Sequence, residues 1–385
     1  MIDTSAVDGF LASALRTLRS GGDVAWPHDD MPVWQSVWSR IDYHGIPLLL
    51  HSAKDRLGGW PIELLDRIDE EARLIVLWET THFYAVKRVI SALDIAEIAS
   101  IVMKGTALAY AFHTEPAARR RGDTDLLIHP ADKERARAIF RENGWYRRDD
   151  PHGLYSQEGW LHDAAGFFVH SIDLHWEPTD RPVLHDVLPI DRFFAQKEPV
   201  QALGRGAFRP DLATMVIHAT TNQKWHAQHG YEAEEGRVTG PRRLMWSVDF
   251  DLMINSMTDA DWKALIDHCS RVGIGPLVAE ALLGAHKDLC TSLPDDAIAQ
   301  LQSAPLDGGI QTYFSNSDSL SQFWLDVKKT RGIGKKTQLI LGRAFAPRGH
   351  LIEKYPSAKN WPTLALQGRL LIETAARLVR RGGAS

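Results

Sequence analysis

Asp123-Thr124-Asp125 places two carboxylates one residue apart, directly ahead of the apolar run Leu126-Leu127-Ile128. Side chains alternate across a β-strand, so both acids point to one face, with Cα atoms about 7 Å apart. Carboxylates so spaced can converge on two Mg²⁺ ions, or Mn²⁺ in their place, about 3.5–4 Å apart, an arrangement that moves phosphoryl and nucleotidyl groups. A third acid on a separate strand completes such a cage. Asp173, in Ile172-Asp173-Leu174-His175-Trp176, is the candidate.

The elements that must position these acids can be read on both sides of them. His129-Pro130 ends the first acid-bearing strand, and proline suits the first turn of a helix. That helix runs from Ala131 to Glu142 and stops at Asn143-Gly144. Phe167 to Trp176 reads as a second strand, with Phe168, His170, Ile172, Leu174 and Trp176 on a core face and Phe167, Val169, Ser171, Asp173 and His175 on the other. If the two strands pair, Asp173 and His175 meet the Asp123/Asp125 face, and His175 is the nearest base by strand phase. Upstream, Ile98 to Met103 reads as a strand, Lys104-Gly105-Thr106 as a tight glycine turn and Ala107 onward as a helix start. A helix N-terminus with its unpaired N–H groups is a natural phosphate site. Gly105 lets the backbone come close to phosphate, and Lys104 or the Thr106 hydroxyl adds a contact. Arg119, Arg120 and Arg121 read as a solvated loop from which one arginine touches phosphate.

Lys104-Gly105, then Arg119 four residues before Asp123-Thr124-Asp125-Leu126-Leu127, then Ile172-Asp173-Leu174-His175-Trp176, resembles the DNA polymerase β-like nucleotidyltransferase superfamily. More narrowly, it is similar to the bacterial branch labelled uncharacterised nucleotidyltransferase. Thr106 stands where many relatives carry Gly or Ser, and Thr124 where a larger apolar residue is usual. The motifs cover about residues 97–176, with a looser likeness around His218 to Leu252. The resemblance implies an α+β fold, a small mixed sheet flanked by helices, with Mg²⁺ and a nucleoside triphosphate, ATP first. It implies that Asp123 and Asp125 bridge two ions, that Asp173 holds the second, and that Arg119 and the Gly105–Thr106 turn face the departing pyrophosphate. It puts a peptide or protein acceptor first, with a small molecule or RNA as further options. Phosphoryl transfer on the same site, or a catalytically silent binding protein on the same fold, are the alternatives.

Composition bounds the rest. A chain of 385 residues, 44% hydrophobic and 24% charged, is long enough for more than one domain and has an ordinary globular balance. The expected division is a helical region over 1–96, the catalytic core over 97–200 and a second helical region over 201–385. In the first region Gly21-Gly22 and Gly58-Gly59 mark breaks, and its helices are expected to pack on the sheet. Cys269 and Cys290 build no disulfide framework. With no signal-peptide pattern at Met1-Ile2-Asp3-Thr4 and no membrane-spanning apolar run, a cytoplasmic protein without membrane contact is expected. His218, Asn222, His226 and His229 fall at helical spacing and predict histidines facing the cleft or the core rather than a zinc site. Asp249 and Asp251 lie on a helical segment and diverge. Gly332-Ile333-Gly334-Lys335 fails the spacing of a phosphate loop, because position 329 is Lys. Residues 328–385 hold 13 Lys/Arg against Glu353 and Glu373, a balance of +11 that leaves −16 for residues 1–327 of a chain with net charge −5. Such a basic tail can bind RNA or polyphosphate. Leu364, Leu366 and Leu370 begin the apolar side of a final, docked helix.

Overall fold

The computed structural model describes residues 4–27, 33–148, 156–164, 168–233, 236–238, 242–316, 318–344 and 348–382. Phe167 and residues 149–155 of the connection between the two acid-bearing strands lie outside the described residues.

Helices α1 (Thr4–Arg19), α2 (Trp34–His44), α3 (Pro47–His51) and α4 (Ile62–Ile95) precede the sheet. The glycine breaks border two short strands, Val24–Ala25 and Leu57–Gly58, which pair in parallel. In the 34-residue α4 the buried side chains Leu64, Ile68, Ala72, Ile75, Glu79, His82, Val86, Val89 and Leu93 recur three or four residues apart. That is the stripe of a helix packed along one side. At 1.5 Å per residue α4 is about 50 Å long, enough to serve two cores. Leu64 and Ile68 join α1 and α2, whereas Val86, Val89, Ile90 and Leu93 pack against the sheet. The expectation that the N-terminal helices cover the sheet therefore holds for α4 alone, because the apolar faces of α1 and α2 are taken by Leu244, Met245, Val248 and Leu289 from far along the chain.

The main sheet is mixed and has seven strands. They are β1 (Ser100–Met103), β2 (Thr124–Leu127), β3 (Tyr146–Arg147), β4 (Gln157–Asp163), β5 (Val169–His175), β6 (Glu198–Pro199) and β7 (Ala207–Arg209), in the order β3-β4-β5-β2-β1-β7-β6. β1 and β2 sit in the middle, and all eight of their residues are buried. Their runs Ser-Ile-Val-Met and Thr-Asp-Leu-Leu suit strands covered on both faces. β2 is antiparallel to β1 and parallel to β5, which pairs Asp125 with Asp173 and Met103 with Asp125 across the ladder. Around the sheet lie α5 (Lys104–Phe112), α6 (Lys133–Glu142), α7 (Ile190–Ala195), α8 (Leu212–His229), α9 (Leu244–Asn255), α10 (Asp259–Val272) and α11 (Gly275–Leu289). α8 begins where the Asp211 carboxylate accepts the Thr214 N–H at 3.0 Å, a side-chain N-cap. One cluster of buried side chains runs from Val86 to Tyr313, through residues 96 and 200 without a break.

Three shorter helices follow, α12 (Asp295–Ser303), α13 (Gly308–Ser315) and α14 (Ser319–Lys329), and beyond them the last segments form a small core of their own, with Leu351, Tyr355, Ala358, Leu366 and Leu370. The final helix is docked through Leu366 and Leu370, but Leu364 is 84% exposed. Among the described residues no helix is long and apolar enough to cross a membrane.

Candidate active site

Strand alternation decides which way the acids face. Thr124, between the two aspartates, turns to the far side of β2, where its hydroxyl meets His82 Nε2 at 2.8 Å and the Thr106 hydroxyl at 3.0 Å. Asp123, one residue ahead of β2, and Asp125, within it, line the opposite side together with Asp173. Asp125 Oδ1 accepts from Lys104 Nζ at 2.6 Å and from His175 Nε2–H at 2.9 Å. Asp173 Oδ2 accepts from Gln157 Nε2 at 2.9 Å, while its buried Oδ1 has no hydrogen-bond partner and lies 3.7 Å from Arg148 Nη2. Donor atoms of Asp125, Asp173 and His175 lie within 4.8 Å of one another. Hard oxygen donors with a buried, unpartnered carboxylate oxygen among them fit a divalent cation of the Mg²⁺ or Mn²⁺ kind.

The electrostatics follow from crowding. Burial, with the Asp125 and Asp173 carboxylates beside it, pushes the Asp123 carboxyl up to about 7. Asp173 is raised for the same reasons, burial first and Asp125 second. Burial acts on Asp125 too, but Lys104 and His175 outweigh it and hold that carboxyl well below the usual range. Three acids around Lys104 raise its ammonium against the effect of burial.

These residues open into a cleft of about 370 Å³. One wall is basic and comes from the start of α5 and the segment Arg119–Gly122. The facing wall is formed by Met215, His218, Asn222 and His226 of α8 with Trp246 and Phe250 of α9. The fourfold spacing of 218, 222 and 226 puts them on one helix face, as the sequence indicated. Burial pushes the His218 imidazole down to about 3, and His226 is lowered for the same reason, so both rings are neutral near pH 7. His226 Nδ1 pairs with the Gly230 carbonyl at 3.0 Å. His229 packs its ring at a tilt against Trp225 instead.

Several expectations need correction. No glycine loop separates β1 from α5; the helix starts at Lys104 itself, which takes the left-handed φ of +47°. A Cβ added at Gly105 would stand 3.5 Å from the Arg121 side chain, an ordinary contact, so no close packing within the protein requires a glycine there. The Thr106 hydroxyl is spent on Thr124 and on the Asp123 carbonyl (3.4 Å), and the residue does not line the cleft. Lys104 lines the cleft, and its ammonium reaches in among the carboxylates. His175 is almost fully buried behind Asp125, so its Nε2 supports that acid and is not open to an acceptor. The three arginines are not a solvated loop. Arg119 Nε binds Asp249 at 2.7 Å, Arg120 pairs with Asp42 and Glu71, and Arg121 binds Glu79 at 2.8 Å. Asp251 diverges from Asp249, as expected, and accepts from Thr291 at 2.7 Å.

Sequence reasoning missed Gln157, Arg148 and Asp249. Their roles depend on strand pairing and on a contact between residues 130 positions apart.

Neither curated proteins nor solved structures offer a match to the chain. The family described as uncharacterised nucleotidyltransferase matches residues 30–289, a span that takes in all three acids and both walls of the cleft. The chain belongs to the uncharacterised nucleotidyltransferase family, and is thus a transferase with a nucleotide as substrate.

Proposed function

We propose that this protein transfers a nucleoside monophosphate from a nucleoside triphosphate, ATP first, to a hydroxyl group of a peptide, protein or small-molecule acceptor, using Mg²⁺ or Mn²⁺ in the manner of polymerase β-like enzymes. The observation that carries the reading is the pairing of Asp125 with Asp173 on adjacent parallel strands, with Asp123 on the same side of the sheet and one cleft in front of all three. Asp123, Asp125 and Asp173 would hold the divalent cation, which when bound offsets charge on the phosphates and makes an acceptor hydroxyl more acidic.

The protein's own groups account for binding and orientation. The first N–H groups of α5 lack intrahelical partners and carry the positive end of the helix dipole, and Arg119, Arg120 and Arg121 line the same wall. That wall suits the triphosphate. Their acidic partners fix the guanidinium groups in place before a nucleotide arrives, so little side-chain entropy is lost on binding. Trp246, Phe250 and Met215 give the opposite wall an apolar face for the base or acceptor. In the reaction the acceptor oxygen bonds to the α-phosphorus and the bond from that phosphorus to the β-bridging oxygen breaks. Pyrophosphate leaves and the hydroxyl proton passes to water in the cleft, because burial keeps the His218 and His226 rings from holding it. His175 keeps Asp125 ionised and oriented.

Incubation with ATP labelled at either the α- or the γ-phosphate tests the reaction class. Label from the α position appearing in acceptor, and γ label leaving as pyrophosphate, supports the proposal. Transfer of γ label instead would replace it with phosphoryl transfer.

A further inference from the structure

An ammonium group stands inside the acid cluster. Lys104 Nζ lies 2.6 Å from Asp125 Oδ1, and the same oxygen takes the Nε2–H of His175. Lys104 reaches this point because β1 runs into α5 without a linker. Met103, the last residue of β1, pairs across the ladder with Asp125, so the next residue begins beside that acid. To turn back over β2 from there, Lys104 adopts φ of +47°. Among the described residues only Glu97 and Cys290 share this left-handed conformation without being glycine. A residue with a Cβ is strained in this conformation, and backbone strain of this kind tends to persist where surrounding contacts over-determine it. Here the contacts are ionic, because Asp123, Asp125 and Asp173 line the cleft beside the lysine.

The sequence led us to expect two metal ions. The donor atoms, rather than a charge count, bear on the number of ions, because the triphosphate brings negative charge of its own. The open donor stands apart from the lysine's site of contact: Asp173 Oδ1 is buried and without a hydrogen-bond partner, while Asp125 Oδ1 is already shared by Lys104 and His175. Building on the nucleotidyl-transfer reading above, we propose that Lys104 takes the place of the second cation, so that this cleft holds a single divalent ion paired with an ammonium group. On this view Lys104 is part of the charge that the phosphates meet. Its strained backbone is what allows a side chain, rather than an ion carried in with the nucleotide, to supply it.

Ion counting decides the matter without reference to turnover. Mn²⁺ is titrated into the full chain in the presence of inorganic tripolyphosphate, which supplies the phosphates of any nucleotide without a base, and bound ions are followed by electron paramagnetic resonance. The wild-type protein should bind one Mn²⁺ per chain with the spectrum of an isolated ion. Lys104→Met should bind two, with the broadened spectrum of a coupled pair, and Lys104→Arg should remain at one. Two coupled ions in the wild-type protein, or one ion in Lys104→Met, would overturn the inference. The wild-type count is decisive even if Lys104→Met fails to fold. Absence of any bound Mn²⁺ would remove both the inference and the metal-dependent reading beneath it. One bound ion in a protein that transfers no nucleotide would leave the inference standing and count against the reaction alone.

Discussion

Asp125 is the most heavily tied of the acids, with Lys104 and His175 on one oxygen and Asp173 as its ladder partner. Asp125→Asn is expected to abolish transfer while leaving the melting temperature within a few degrees, because the amide keeps the shape of the side chain. Loss of folding together with activity would instead assign Asp125 a structural role. His175 acts one step back, by orienting that carboxylate. Removing such a supporting group typically weakens metal affinity about 10–100-fold. His175→Ala should therefore lower Mn²⁺ affinity by that order in a titration, with His175→Gln restoring part of it through an amide N–H. An unchanged affinity would show that Asp125 needs no such support. The three acids themselves were legible from sequence, because the strand period alone sends residues 123 and 125 to one face. The position of Lys104 was not, since it rests on one unusual φ angle and on the register of β1 against β2.

Behind the acids, three elements are tied at one point: His82 of α4 and Thr106 of α5 both reach Thr124 of β2. Thr124→Val keeps the volume but strands the buried His82 nitrogen. That should cost about 1–3 kcal/mol in urea unfolding, the usual penalty for a buried polar group left unpaired. Next to this knot His170 of β5 is fully buried, with neither ring nitrogen hydrogen-bonded, and burial pushes it down to about 4. His82 is held well below its usual value by burial and by the Arg121 charge. Between the ordinary histidine value, about 6.5, and pH 4 the unfolded chain binds protons that the native state refuses, so these groups make stability fall as pH falls through that window. His170→Phe should flatten the fall in a series of pH-dependent melts, and an unaltered slope would contradict the assignment. Strands β1, β2 and β5 and the shared helix face of His218, Asn222 and His226 could be read from residue periodicity, whereas the short strands β6 and β7 at one edge could not. The arginine wall could not, because its acidic partners lie 42 residues away for Arg121 and 130 for Arg119.

Among the described residues one large core runs through the sheet and α8 to α11, a second lies under α1 and α2 with a satellite cluster of Leu48, Ala72, Ile75, Ala117 and Ala118 joined to it through Leu49, and the basic C-terminal segment holds a small third core. The third core shares none of its buried residues with the first two. Removing residues 333–385 is thus expected to shift the melting temperature of the remainder by no more than a few degrees. The removed residues carry +8 of the basic segment's +11, so if that segment binds RNA the same truncation should greatly weaken binding that falls as salt rises. A large loss of stability would show that the segment braces the body. The division of charge was plain in the sequence, whereas the separateness of the third core was not, because Leu364 and Leu366 look alike until packing buries one and exposes the other. The central claim concerns the acids and the cleft they share. It is tested most directly by intact-mass analysis of peptide and small-molecule acceptors, and of the protein itself, after incubation with each nucleoside triphosphate and Mg²⁺, with the Asp123→Asn/Asp125→Asn protein alongside. The expected result is a gain of one nucleoside monophosphate with matching pyrophosphate release, absent from the double variant. The same gain from the double variant, or a gain of phosphate alone from the wild-type protein, would contradict it.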